Sequence, residues 1–147
     1  MSTKKSRLIV DGFLLVSVIV TFVSVQFIYQ ILWFHVISGT VTGALFIVHM
    51  FHHRPWLLHA TAALKSGKIG PQNKRLFIVS ILLFKIWFLT IISGVFSLLN
   101  RVGIIENFET LGDIHNTLAM IGMVLIVVHL YLNIRMLLKS FKAKKSN

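Results

Sequence analysis

The sequence predicts an all-α membrane protein, a four-transmembrane-helix bundle built as a single domain over residues 1–147. Three observations predict it. Hydrophobic residues make up 56% of the chain and charged residues 13%, against about 25% charged in a soluble domain. The apolar residues gather into four stretches, 8–29, 31–51, 76–99 and 114–138. Each approaches or exceeds the ~20 residues that a helix needs to cross ~30 Å of hydrocarbon. Basic residues cluster at the ends of these stretches, which places the net charge of +11 at membrane surfaces rather than along a nucleic-acid groove. No stretch alternates apolar and polar residues, which argues against a barrel. With no cysteine, a disulfide framework, an iron–sulfur cluster and a covalent c-type haem are excluded.

The first stretch follows Lys4, Lys5 and Arg7. It is longer than a signal-peptide core and no small-x-small site follows, so it is expected to remain as a helix. The connection around Tyr29 and Gln30 is very short. It still reads as a turn, because the apolar run from 8 to 53 is more than twice a single crossing. Pro55 disfavours helix at Arg54 and is expected to close the second span, with 56–64 either a short helix on the membrane surface or an ordinary loop. In the third, Lys85 lies ten residues past Arg75, about 15 Å deep and near the midplane. Asp113, after Gly112, is the expected N-cap of the fourth. Residues 139–147, KSFKAKKSN, read as a basic flexible tail against anionic lipid. Tyr29 and Trp33 at one level and Trp56 at the other suit the two interfaces.

Charge sets the expected direction. Thirteen of the fifteen Lys and Arg fall in three blocks: Lys4, Lys5 and Arg7; Arg54, Lys65, Lys68, Lys74 and Arg75; and Arg135, Lys139, Lys142, Lys144 and Lys145. With four crossings these blocks share one side, while the other has Arg101 with Glu106, Glu109 and Asp113. Positive loops stay inside, so both termini are expected to be cytoplasmic and the protein to lie in the cell membrane.

The second and fourth spans align with one another without a gap, which reads as an internal repeat. His35 matches His115, His49 matches His129, and IVHMF (47–51) matches VVHLY (127–131). Each span therefore carries H-x13-H. Fourteen residues turn through about 1400°, some 40° short of four full turns, so both histidines of a span face one way, about 21 Å apart along the axis. Seven histidines give about 0.3 chance pairs at any one spacing, so two pairs in one register point to ligation rather than chance. Histidine in hydrocarbon is also costly unless it is paired or ligating. The two spans cross in the same direction, which sets His35 level with His115 and His49 level with His129. Two donors at each level are too few for zinc or copper, but they suit a flat macrocycle with two axial positions, such as haem b. Gly39 and Gly122, one or two turns from the outer ligands, would let a ring system approach the backbone; small-residue helix packing is the alternative.

The strings HVISGTVTGALFIVHMFHHRPW (35–56) and DIHNTLAMIGMVLIVVHLYLNIR (113–135) resemble the small four-helix di-haem cytochrome b membrane proteins, including the gamma subunit of respiratory formate dehydrogenases. The resemblance implies two haem b groups, an outer one on His35 and His115 and an inner one on His49 and His129. Their iron would be closed by two imidazoles, and the resulting function is transmembrane electron transfer. Quinol or quinone is the expected lipid-phase partner, with a redox protein at one face. Arg54, Arg135, Lys74 and Arg75 would neutralise inner propionates, and Arg101 outer ones, unless they serve only as positive-inside anchors. Lys85 would pair with a propionate or a quinone oxygen, or snorkel. His52, His53 and His59 have no counterparts in the fourth span and read as headgroup histidines; without a carboxylate nearby, His49 and His53 make a weak zinc pair. Two other functions remain open. One is a terminal oxidoreductase acting on ferric iron, superoxide or oxygen at the outer haem. The other is a haem-free assembly subunit or transporter.

Overall fold

The computed structural model describes residues 3–25, 32–105 and 110–145, with side chains at 6–25, 32–105 and 110–135. Four α-helices fill the described residues: α1 (Thr3–Ser24), α2 (Leu32–Lys65), α3 (Pro71–Arg101) and α4 (Leu111–Lys145). All four are long and apolar enough to cross a membrane, and 6–17% of the residues in their most apolar windows are buried. Phe13, Phe51, Val124 and Val127 are all more than 60% exposed. Helices this apolar on every side call for lipid, not water, around them. The chain divides into two compact units, Met1–His59 and Ala60–Asn147.

In the first unit α1 and α2 run antiparallel. The Thr42 hydroxyl donates to Ser38 O (2.8 Å), which leaves its oxygen to accept from the Thr21 hydroxyl at 2.9 Å. Thr42 and Ser24 are each 1% exposed, so polar hydroxyls line the α1–α2 contact and satisfy one another there. In the second unit α3 and α4 are also antiparallel. Gly122 faces Ile86 Cγ2 at 3.6 Å and Trp87 Nε1 at 3.9 Å, measured from the position a Cβ would take.

Two helix ends share one device. Gly67 takes φ 69° after α2, with Gly67 N–H bonded to Leu64 O and Lys68 N–H to Ala63 O. Gly103 takes φ 76° after α3, with Gly103 N–H bonded to Asn100 O and Ile104 N–H to Leu99 O. Both are Schellman endings, and each needs a residue that accepts the left-handed region. Pro71 opens α3 at the first helical position, where its missing N–H costs nothing.

Three boundaries differ from the sequence expectation. Pro55 does not close α2; the helix runs through it to Lys65, and 56–64 is neither a separate surface helix nor a loop. Leu57, Leu58, Ala60, Ala62, Ala63 and Leu64 are strong helix formers, and together they outweigh one missing hydrogen bond. The 34 residues of α2 rise about 51 Å, well past the hydrocarbon, so its charged end still lies outside the core. Asp113 is not an N-cap but sits in the first turn of α4, where Ile114 N–H bonds to Thr110 O and the carboxylate complements the helix dipole. The basic segment from 139 onward is helical as far as Lys145, because α4 continues through it. The expected turn at Tyr29 and Gln30, and Glu106 and Glu109, lie outside the described residues.

Candidate functional site

Each of the four aligned histidines is held at Nδ1 by the helix that precedes its own in the chain. His35, on α2, donates from Nδ1 to Ser24 Oγ at 2.8 Å and to Thr21 O at 3.3 Å. The Ser24 hydroxyl proton is already given to Thr21 O at 2.6 Å, so its oxygen can only accept from the ring. His115, on α4, repeats the arrangement on α3: Nδ1 donates to Thr90 O at 2.9 Å and reaches Ser93 Oγ at 3.4 Å, while Ser93 donates to Thr90 O at 3.0 Å. A carbonyl cannot donate. Nδ1 must therefore carry a proton in both residues, and in the neutral imidazole that leaves the lone pair on Nε2.

The other two follow the same rule with different acceptors. His129 Nδ1 donates to Ser80 Oγ at 3.3 Å, and the Ser80 hydroxyl is given to Leu76 O at 2.8 Å. His49 Nδ1 donates to Asp11 Oδ1 at 2.7 Å. The acceptors keep a register of their own: one and the same interval in the sequence separates Asp11 from Ser80, Thr21 from Thr90, and Ser24 from Ser93. None of these six was singled out from the sequence. Asp11 is an acid alone inside an apolar span, and the matching polar positions of the first and third spans were a readable signal.

Close approach marks one glycine. A Cβ on Gly94 would fall 2.8 Å from His115 Cε1 and 3.0 Å from Nδ1, so the imidazole lies directly on the α3 backbone and excludes any side chain there. Gly39 has Thr21 Cγ2 at 3.8 Å from its Cβ position. The structure thus sets side chains of α1 and α3 against Gly39 and Gly122.

His53, expected as a surface or headgroup histidine, lies beside Asp11 and His49. Its Nε2 lies 3.4 Å from both carboxylate oxygens of Asp11, and its ring centroid is 4.4 Å from that of His49. The carboxylate that the sequence reading found missing beside His49 and His53 is therefore present, supplied by another helix. Asp11, His49 and His53 offer ligand atoms within 4.8 Å of one another. His59, Arg54, Arg135, Lys74, Arg75, Arg101 and Lys85 are exposed.

No family model, curated protein or solved structure matches the chain.

Proposed function

We propose that the chain is a transmembrane electron carrier that holds two b-type haems, one on His35 and His115 and one on His49 and His129. The observation that carries this reading is the common anchoring of Nδ1 in all four rings. An axial imidazole must be neutral, offer a lone pair at Nε2 and be fixed in rotation, and a hydrogen bond from Nδ1 to a carbonyl, hydroxyl or carboxylate supplies all three. Four histidines with one tautomer, in two H-x13-H pairs of matching register, fit that donor set. A haem closed on both sides by imidazole carries single electrons and leaves no site for small molecules.

In this reading spans two and four are an internal repeat, and spans one and three supply matching anchors. The protein lies in the cell membrane with both termini cytoplasmic, on the strength of its basic blocks. Arg54, Arg135, Lys74 and Arg75 would supply countercharge to inner propionates and Arg101 to outer ones, while Lys85 would pair with a propionate or a quinone oxygen. A quinol or quinone exchanges electrons with the protein in the lipid phase, and a redox protein does so at one face.

A second reading is favoured by the proximity of Asp11, His49 and His53: a haem-free membrane protein that binds a divalent cation at these three side chains. One preparation separates the two. Pyridine haemochrome assay of the purified chain should give two haem b per polypeptide, and replacing any one of the four aligned histidines by alanine should lower the count. A colourless protein that retains zinc in an Asp11-dependent manner would establish the second reading instead.

A further inference from the structure

The four Nδ1 anchors are not equivalent. Three of the rings give their proton to neutral oxygens: Thr21 O and Ser24 Oγ, Thr90 O and Ser93 Oγ, and Ser80 Oγ. The fourth, His49, gives it to a carboxylate at 2.7 Å, the shortest of these contacts. The register makes the contrast sharper, because Asp11 occupies in the first span the position that Ser80 holds in the third.

We propose that Asp11 sets the direction of electron flow, by making the haem on His49 the lower-potential one of the two. The proposal rests on the two-haem reading above. A carboxylate that accepts the Nδ1 proton pulls it away from the ring and gives the imidazole anionic character. A more electron-rich axial ligand stabilises ferric over ferrous iron, and the negative charge of Asp11 favours the oxidised state by Coulomb attraction as well. Both effects act on one haem and in one direction. The described partners of the carboxylate are the two imidazoles of His49 and His53.

The consequence for the path is definite. The haem held by His49 and His129 would be the one to give up its electron and the haem held by His35 and His115 the one to receive it, with a quinol or a reduced protein as donor at the His49 end and an oxidised acceptor at the His35 end. Asp11 is not itself one of the four proposed ligands. It is a positioning residue that acts through His49.

Equilibrium redox titration of the haem-loaded protein, followed by its visible absorption, tests this directly. The unmodified protein should show two one-electron components whose reduction equilibria differ at least tenfold, about 59 mV. Asp11→Asn should raise the lower component by a similar factor and leave the upper one where it was. Asp11→Glu, which keeps the charge, should hold the lower component down. A single component in the unmodified protein overturns the proposal even if Asp11→Asn takes up no haem. So does an Asp11→Asn variant with both haems bound and both potentials unmoved, and in either case the two-haem reading stands. A preparation without haem overturns both together.

Discussion

The imidazole of His115 rests on Gly94 so closely that the hydrogen of the glycine is the only substituent the contact admits. A methyl group there would lie 2.8 Å from Cε1, well inside van der Waals contact, and the atoms it meets belong to a ring that is itself tied to Thr90 O. Helix propensity by itself would favour alanine at this mid-helix position by about 1 kcal/mol. The close approach reverses that preference.

Gly94→Ala is therefore expected to destabilise the second unit by about 1–3 kcal/mol, the usual cost of forcing a methylene into a filled contact. It should also lower the haem count while a variant such as Gly12→Ala, which meets nothing within 4 Å, leaves it unchanged. In a His115→Ala background the same Gly94→Ala change should become neutral or stabilising. Thermal unfolding in detergent of the four proteins in this cycle checks the coupling; equal costs in the two backgrounds would break the link between Gly94 and the ring.

Ser24→Ala and Ser93→Ala should differ. Without Ser24, His35 keeps its longer bond to Thr21 O at 3.3 Å, whereas His115 without Ser93 keeps its shorter one to Thr90 O at 2.9 Å. Loss of such an outer partner typically weakens ligation by about 10–100-fold. Transfer of haem to an excess of apo-globin should accordingly be faster for Ser24→Ala than for Ser93→Ala. The reverse order would mean that the carbonyls do not share the anchoring.

Pro55→Ala tests the continuity of α2. The substitution restores a backbone donor to Phe51 O inside an existing helix, worth up to about 3 kcal/mol. Amide exchange over residues 52–60 should slow while the haem content stays the same. Faster exchange there would show that the helix depends on the proline.

Topology can be read by labelling, because the chain has no cysteine of its own. Lys68→Cys, just past the end of α2, should react with an impermeant maleimide only after cells are opened. Val102→Cys, just past the end of α3, should react in intact cells. Labelling of Lys68→Cys in intact cells would overturn the proposed orientation.

The two kinds of information in this chain were not equally readable. Hydropathy depends on bulk composition, so four spans were visible without any neighbour being known. So were the histidines, since their spacing is a property of a single helix. The Pro55 boundary was misread because a rule about one dipeptide was set against several leucines and alanines beyond it, and the larger sum decides. Asp11, alone in an apolar span, was a signal left unread, but what Thr21, Ser24, Ser80, Thr90 and Ser93 bind was hidden for another reason. A serine or threonine in an apolar span has an ordinary use in packing, and its bond to a histidine 11 or more residues away exists only once two helices lie side by side.

Every ring is steadied from within its own half of the polypeptide: His35 and His49 by α1, His115 and His129 by α3. Neither half needs the other to orient its imidazoles, so each pair of helices is complete in this respect by itself. Either half made as a separate polypeptide, cut in the connection between α2 and α3, should for that reason still hold its own two histidines at Nδ1.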